Sequence, residues 1–161
     1  MNWQEVCNDL TLRNLPYKIE LNEWGQIVMS PASNFHGILQ AALIRTMGRA
    51  REDGTIIAEC SVKTAKGVKV ADVAWASSAF RREQGKATPY NKAPEICVEI
   101  VSPSNSSKEM EEKCELYFAE GAQEFWLCDE QGVLSFYDCT GPMPTSRLFP
   151  NLSHIDPDYL I

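Results

Sequence analysis

The sequence predicts an α+β fold in which a mixed β-sheet is flanked by helices, and two observations favour this class. Strand-length apolar segments alternate with stretches of helical periodicity along the chain. The last helical stretch separates two strand candidates, residues 95–101 and 124–129, and strands joined in this way form a right-handed parallel crossover. The remaining strands are paired as hairpins. The length suits a single domain spanning residues 1–161.

The N-terminal third predicts a short helix, a hairpin and a long helix. Residues 4–13 have helical character. Apolar and polar side chains alternate from Tyr17 to Leu21, Asn22 to Gly25 supply a turn, and Gln26 to Met29 form the returning strand, which is typical of a β-hairpin. Apolar residues recur at spacings of three and four from Ser33 to about Ala50, which predicts a helix. Ser33 is a suitable N-cap for this helix.

The middle of the chain predicts an antiparallel pair followed by an irregular segment. TIIAECSVKT and VKVADVAWAS are rich in β-branched residues and are joined by a turn at Lys66-Gly67. Residues 77–93 are polar, lack periodicity and contain glycine and proline. We therefore expect a long excursion there, and such excursions are frequently functional.

The following segment predicts the crossover helix. Residues 106–109 fit a capping box for a helix that ends near Ala119, and Gly121 stands where a left-handed residue closes a helix. Ser102 and Ser104 suit the turn between strand and helix. The segments EFWLCD and VLSFYD then predict a hairpin, and we expect the proline-rich tail to be largely irregular.

Charge and composition restrict the class of protein. The net charge of −7 argues against indiscriminate binding of nucleic acid. Residues 61–100 nevertheless carry seven Lys and Arg against four acids, whereas residues 101–161 carry three against eleven. The basic segment is equally consistent with a solvated loop and with a rim that faces phosphates. Without a signal peptide or a membrane-length apolar stretch, we expect a cytoplasmic protein that does not contact membranes.

The six cysteines are scattered without a CxxC pair, so we expect reduced thiols. His36 and His154 lack the spacing of a structural zinc motif. A thiol enzyme using Cys97 or Cys128 is disfavoured, because both lie in apolar strands without a histidine nearby in sequence.

Two carboxylates stand out because each interrupts an apolar strand. Asp72 lies in VKVADVAW and Glu99 in EICVEIV, where an uncompensated charge is costly. Two acids on neighbouring strands offer the hard oxygen ligands that hold Mg²⁺ or Mn²⁺ and leave positions for water and phosphate. Lys113 lies on the following helix, one turn before Tyr117, and could supply a further cation beside the two acids.

Each of these residues also has a structural explanation. Asp72 alone is more typical of a turn or cap, and Glu99 could form a buried ion pair with Lys113. His36 is by itself more typical of a helix start than of a ligand. The joint placement of Asp72, Glu99 and Lys113 in one cleft is what favours a catalytic site.

At these residues the chain resembles the Uma-two family of bacterial restriction endonucleases, a branch of the PD-(D/E)xK nuclease superfamily. The resemblance covers about residues 15–140 and rests on PASNFHG, VADVAWAS, APEICVEIVSPSN and EMEEKCELYFAEGAQEFWLCD. It implies a restriction-endonuclease-like core. It also implies that Asp72 is the acid of the PD motif and that Glu99 is the acid of (D/E)xK.

The chain departs from the superfamily pattern at two positions. Ala71 replaces the proline, and Val101 stands where the superfamily has its lysine. The resemblance implies that Lys113 takes over the lysine function and that His36 belongs to the site. The candidate site thus comprises the metal ligands Asp72 and Glu99, the further catalytic residues Lys113 and His36, and the supporting residues Tyr117 and Ser102.

Two functions stay open at this point. The first is a Mg²⁺- or Mn²⁺-dependent endonuclease that hydrolyses phosphodiester bonds of DNA. The second is an inactive nuclease-fold module for binding or assembly, which the net acidity, the missing in-strand lysine and the short chain favour. By analogy with superfamily enzymes that cut both strands, we expect a homodimer, with an interface on the strands near Phe125–Tyr137.

Overall fold

The computed structural model describes residues 1–103 and 105–161. The helices are α1 (Trp3–Asn8), α2 (Asn34–Ala50), α3 (Ser78–Gln84) and α4 (Ser107–Ala119). Short 3₁₀ turns occupy Leu10–Leu12 and Pro157–Leu160. The strands are β1 (Tyr17–Leu21), β2 (Ile27–Pro31), β3 (Thr55–Thr64), β4 (Gly67–Ala76), β5 (Ile96–Ile100), β6 (Glu124–Cys128), β7 (Leu134–Asp138) and β8 (Gly141–Met143).

The main sheet is mixed and has the order β3-β4-β5-β6-β7-β8. β5 and β6 are parallel and are connected through α4, whereas the other neighbouring strands of this sheet are antiparallel. β1 and β2 form a separate antiparallel hairpin. The predicted α+β class and the predicted parallel crossover are therefore confirmed.

Helices cover both faces of the main sheet. On one face α2 packs over β4, β5 and β6, together with residues of the C-terminal tail. On the other face α4 contributes Tyr117 to a second apolar cluster that contains Cys97 and Phe125. Gly121, at φ +100°, closes α4 as expected for a left-handed residue. The two strands that carry the predicted carboxylates thus lie between two helical layers.

The β1–β2 hairpin lies across one end of β4 instead of extending the main sheet. Leu21 packs with Val68 and with Val6 of α1. Gly67 permits this close approach, because a Cβ at that position would lie 2.2 Å from the carbonyl oxygen of Leu21. The N–H of Val70 donates to the buried carboxylate of another β1 residue, Glu20, at 2.7 Å. These contacts fix the hairpin beside the N-terminal half of β4.

The predicted helix over residues 4–13 is too long. α1 ends at Asn8 because Asp9 has extended backbone angles, and its side chain accepts a hydrogen bond from the N–H of Thr11 to begin a 3₁₀ turn. The competing side-chain hydrogen bond explains the break.

Two segments expected to be irregular contain regular structure. The excursion of residues 77–93 includes α3, whose N-terminus is capped by Ser77. The tail includes β8 and places Phe149 and Ile155 in the main core. In both segments tertiary burial stabilises structure that the local periodicity is too short to indicate. All six cysteines carry free thiols, and among the residues described no helix is long and apolar enough to cross a membrane.

Candidate functional site

The candidate site is centred where β4 and β5 separate. The antiparallel register of the two strands extends to the pair Val73–Val98, and Asp72 and Glu99 are the next residues. Both are almost inaccessible, with 1% and 2% of their surface exposed. The N–H of Ile100 donates to Asp72 Oδ2 at 2.8 Å. The two predicted carboxylates are therefore brought together on neighbouring strands.

A lysine from the hairpin bridges the two carboxylates. Lys18 Nζ lies 3.2 Å from Asp72 Oδ1 and 2.9 Å from Glu99 Oε2. Lys18 belongs to β1, which packs against β4 and delivers the side chain into the site. One ammonium group thus contacts an oxygen of each acid, and this accounts for the burial of two carboxylates so close together.

Lys113 and Tyr117 contact the other oxygen of Glu99. Lys113 Nζ lies 3.4 Å from Glu99 Oε1 and 3.1 Å from Glu20 Oε1. The hydroxyl of Tyr117 donates to Glu99 Oε1 at 3.0 Å. The buried Glu99–Lys113 ion pair expected as the structural alternative is present. It is one part of a larger cluster that also contains Lys18 and Asp72.

His36 and Gln40, one turn apart on α2, hold Asp72 from another direction. The Oγ of Ser33 accepts a hydrogen bond from the N–H of His36 and caps the helix, as predicted. His36 Nε2 lies 3.4 Å from Asp72 Oδ1. Gln40 Nε2 donates to the carbonyl of Asp72 at 2.7 Å and to Glu59 at 2.8 Å. Helix α2 therefore orients both the side chain and the backbone of Asp72.

Burial and charge act on the ionisable groups of the site in opposite directions. Burial favours neutral Asp72, but the contacts with His36 and Lys18 outweigh it and hold the pKa of Asp72 well below its usual range. Burial raises the pKa of Glu99, and the nearby lysines offset only part of this effect. The contact with Asp72 also raises the pKa of His36. The surrounding carboxylates raise the pKa of Lys18 despite burial, so Lys18 is an ammonium at neutral pH.

The cluster opens onto a cleft of about 210 Å³. The cleft is lined by residues of β1, β2, α2, β4, β5 and α4 and of the turn after β5. Ser102 lies in this turn and lines the cleft; its N–H and Oγ both donate to Asn105 Oδ1 at 3.0 Å, which agrees with the predicted turn role. Ser104, to which the same role was assigned, lies outside the described residues.

The basic segment of residues 61–100 does not supply the charges of the cleft. None of its seven Lys and Arg residues is among the described residues that line the cleft. Two of them form exposed ion pairs, Lys66 with Glu112 and Lys92 with Glu83. The interpretation of this segment as solvated surface is therefore favoured at these two positions.

The donor set suits a hard divalent cation. Asp72 Oδ1 and Glu99 Oε2 both lie within 3.2 Å of one atom, Lys18 Nζ, and Mg²⁺ is commonly held by one or two carboxylates with water completing its shell. Within the described part of the chain, no cluster of three or more His, Cys, Asp and Glu side chains is arranged to hold a metal. Asp72 and Glu99 are the two carboxylates that could hold such an ion between them.

Lys18 and Glu20 were not identified from the sequence. They alternate with the apolar residues Ile19 and Leu21 in a short strand, and this pattern ordinarily indicates a polar face in contact with solvent. The available signal is a pair of opposite charges on one face of the hairpin strand. Those two charges indicate a site only once the hairpin is known to cover β4.

Comparison with models of protein families shows to which family the chain belongs. The Uma2 family, described as "Putative restriction endonuclease", matches residues 3–141. The chain belongs to the Uma2 family. This confirms the family resemblance found in the sequence, and the Uma2 description supports a nuclease function in general terms.

A solved structure supports the fold of this Uma2 protein. The crystal structure of a "putative nuclease belonging to DUF820" from Anabaena variabilis superimposes with a TM-score of 0.71 and covers 89% of this chain and 91% of that chain. The two chains are 17% identical, so the similarity concerns the fold. No curated protein matches the chain.

Proposed function

We propose that this Uma2 protein is a metal-dependent endonuclease that hydrolyses phosphodiester bonds of DNA. One observation carries the proposal: Asp72 Oδ1 and Glu99 Oε2 both contact the Lys18 ammonium, and the two acids line one cleft. Two carboxylates with this arrangement are suited to hold Mg²⁺ or Mn²⁺ against a phosphate. The family assignment supports the same class of reaction.

The chain presets the orientation of the two carboxylates. The bound ion would supply Lewis acidity at the scissile phosphate and lower the pKa of a bound water. The N–H of Ile100 holds Asp72 Oδ2, and the hydroxyl of Tyr117 holds Glu99 Oε1. The opposite oxygen of each acid is thereby directed at the cleft. Preorganised ligands of this kind reduce the reorganisation needed during the reaction.

Lys113 and His36 supply the remaining polar groups. Lys113 is held between Glu20 and Glu99 and lines the cleft. It would orient the attacking water or stabilise the charge that develops at phosphorus. His36 would contact the phosphate or the metal shell from the Asp72 side. Ser102 would shape the turn at the mouth of the cleft.

The proposal includes a cytoplasmic homodimer in which each subunit cuts one strand of DNA. The predicted interface near Phe125–Tyr137 needs a correction, because Phe125 is buried. Leu127 and Tyr137 are half-buried and line an apolar groove with Cys114. A dimer using this face would therefore be built on this groove, whose lining also includes the buried Phe125.

An inactive nuclease-fold module is the second candidate, and Lys18 favours it. Its ammonium already compensates Asp72 and Glu99, as a structural ion pair would. Such a module would retain its binding partner when Asp72 is replaced by alanine. Retention on DNA or heparin at low salt, with a steep loss as salt rises, would show whether the cleft binds phosphates.

The test is cleavage of supercoiled plasmid, single-stranded DNA and RNA in Mg²⁺ and in Mn²⁺. Wild-type protein, Glu99→Ala and the buried-carboxylate control Glu124→Gln are prepared identically. We expect DNA cleavage that needs metal, is lost in Glu99→Ala and persists in Glu124→Gln. Equal or absent cleavage in wild type and Glu99→Ala, with no metal binding by calorimetry, would favour the inactive module.

A further inference from the structure

The position of Lys18 has a consequence for metal binding, which rests on the proposed role of Asp72 and Glu99 as metal ligands. Its Nζ lies 2.9 and 3.2 Å from the two oxygens that face the cleft, Glu99 Oε2 and Asp72 Oδ1. These are the oxygens a divalent ion would need. The ammonium and the ion carry like charge and compete for the same lone pairs.

The second lysine of the site is placed differently. Lys113 contacts Glu99 Oε1, the oxygen that also accepts the hydroxyl of Tyr117, and it contacts Glu20 Oε1. Neither contact involves the oxygens of Asp72 and Glu99 that face the cleft. Lys113 can therefore stay in place while a metal is held, whereas Lys18 cannot.

The position of Lys18 also allows its ammonium to move away from the two carboxylates. Its side chain lies at the wall of the cleft beside Met29 and Ser30 of the hairpin, and 11% of it is exposed. The four-carbon stem of lysine rotates without backbone movement, and its ammonium regains hydration in an open cleft. The buried carboxylates, held by Ile100 and Tyr117, have no equivalent freedom.

We propose that Lys18 is a built-in counter-cation of the Asp72–Glu99 pair and that a divalent metal binds only by displacing it. Without metal, the ammonium stabilises the two buried acids. With metal, the ammonium moves into the cleft. Metal loading of the site is thereby opposed by a residue of the chain itself, and the metal concentration needed for occupancy is set in part by Lys18.

The experiment measures Mn²⁺ affinity by titration calorimetry for the wild type and for Lys18→Met. Lys63→Met serves as an exposed-lysine control, and Lys113→Met tests a cation beside the site that does not contact the cleft-facing oxygens. We expect Lys18→Met to bind Mn²⁺ at least about tenfold more tightly than the wild type. Lys63→Met should be unchanged, and Lys113→Met should change less than Lys18→Met.

Thermal unfolding gives a second readout on the same proteins. In EDTA, Lys18→Met should have a lower Tm than the wild type, because two buried carboxylates lose a shared cation. Saturating Mn²⁺ should remove this deficit. A Tm deficit that persists unchanged in saturating Mn²⁺ would assign Lys18 a structural role and overturn the proposal.

A measurement on the wild type covers the case in which Lys18→Met does not fold. Acetylation by an N-hydroxysuccinimide ester is followed by mass spectrometry with and without Mn²⁺. We expect Lys18 to be acetylated faster when Mn²⁺ is bound, because the ammonium leaves the carboxylates, while Lys63 keeps its rate. An equal rate at Lys18 in both conditions contradicts displacement.

The outcomes separate this inference from the proposed function. If Asp72→Asn abolishes Mn²⁺ binding but Lys18→Met binds like the wild type, the metal site stands and the competition is wrong. If neither wild type nor Lys18→Met binds Mn²⁺, both proposals fail. If Lys18→Met gains affinity but no variant cleaves nucleic acid, the competition stands and the nuclease proposal fails.

Discussion

Glu99 and Glu124 lie on the adjacent parallel strands β5 and β6, and each is at most 2% exposed. Glu124 is surrounded by neutral donors. It accepts hydrogen bonds from the hydroxyl of Ser146, the N–H of Arg147 and the indole N–H of Trp126. These groups belong to the packed interior and to the backbone, so their positions are fixed by the fold.

Glu99 has partners of another kind. It contacts the ammonium groups of Lys18 and Lys113 and the hydroxyl of Tyr117, and it lines a cleft, whereas Glu124 is not among the residues that line it. Burial alone therefore does not distinguish a site carboxylate from a structural one. The distinguishing features are charged partners on flexible side chains and access to a cleft.

The largest expected difference between the two glutamates is catalytic. Glu99→Gln should reduce DNA cleavage by about 100-fold or more, because a ligand of the proposed metal loses its charge. Glu124→Gln should keep cleavage per folded molecule within about twofold, since it does not touch the cleft. Initial rates on supercoiled plasmid, normalised to the folded fraction, measure both. Similar losses in the two variants would remove the functional distinction.

One of the two lysine partners of Glu99, Lys113, should separate the cleavage step from metal binding. In Lys113→Met the cleavage rate should fall by about 100-fold or more, while Mn²⁺ still binds. The reason is that Lys113 contacts Glu99 Oε1 and Glu20, and leaves the cleft-facing oxygens to the metal. Single-turnover cleavage and calorimetry on one preparation provide the check. Loss of cleavage and metal binding together would contradict the assigned role.

Stability should respond most strongly at Glu124. Glu124→Gln should lower the free energy of unfolding by about 2–3 kcal/mol, because an amide N–H₂ then faces donors that need an acceptor. Urea unfolding at pH 8 in EDTA measures the change. An unchanged midpoint would show that the donors around Glu124 rearrange freely, and Glu124 would no longer serve as the rigid reference.

Stability should change in the opposite direction at Glu99. Its pKa is raised by burial from 4.5 to about 7, so ionisation of Glu99 disfavours the folded state. This penalty is absent below pH 4.5 and is complete above pH 7. Glu99→Gln should therefore stabilise the metal-free protein by about 1–3 kcal/mol at pH 8 and by nothing near pH 4.

This gain in stability is not offset by unpaired lysines, because each lysine that contacts Glu99 keeps a second carboxylate. Lys18 retains Asp72 and Lys113 retains Glu20 when residue 99 is neutral. Urea unfolding of wild type and Glu99→Gln across this pH range in EDTA measures the effect. A large loss of stability at pH 8 would instead mean that the buried ion pair with Lys113 dominates.

The smallest effect is expected for a charge pair outside the interior. Lys66 pairs with Glu112 at the surface, where both side chains are well exposed. Lys66→Met should leave the Tm and the cleavage rate unchanged within error, because exposed ion pairs contribute little. A measurable loss of cleavage without a change in Tm would instead support the basic segment as a phosphate-facing rim.

Much of the site was predictable because its two acids are charged residues within apolar strands. Asp72 and Glu99 interrupt apolar strands, and the residue spacing after them resembles the Uma2 pattern. The resemblance also pointed to Lys113, His36 and Tyr117, all of which the structure places against the two acids. Their catalytic roles stay predictions.

Other parts were not predictable from local patterns. Glu124 stands at a strand start and gives no sign of its burial or of its neutral partners in the tail. Helix α3 is only seven residues long, so its periodicity is weak. The tail reads as irregular because of its prolines, yet Phe149 and Ile155 are held in the core by distant contacts.

The sequence by itself determined strands β1 to β7, the crossover helix and the two acids, because hydrophobic periodicity and caps are relations between near neighbours in the chain. Only the tertiary structure decided what neutralises those acids. Lys18 lies 54 residues from Asp72 and 81 from Glu99, and its meeting with them depends on how the hairpin packs over β4. The strength of an ion pair depends on the distance between the two charges in the folded protein, and the local sequence does not encode that distance.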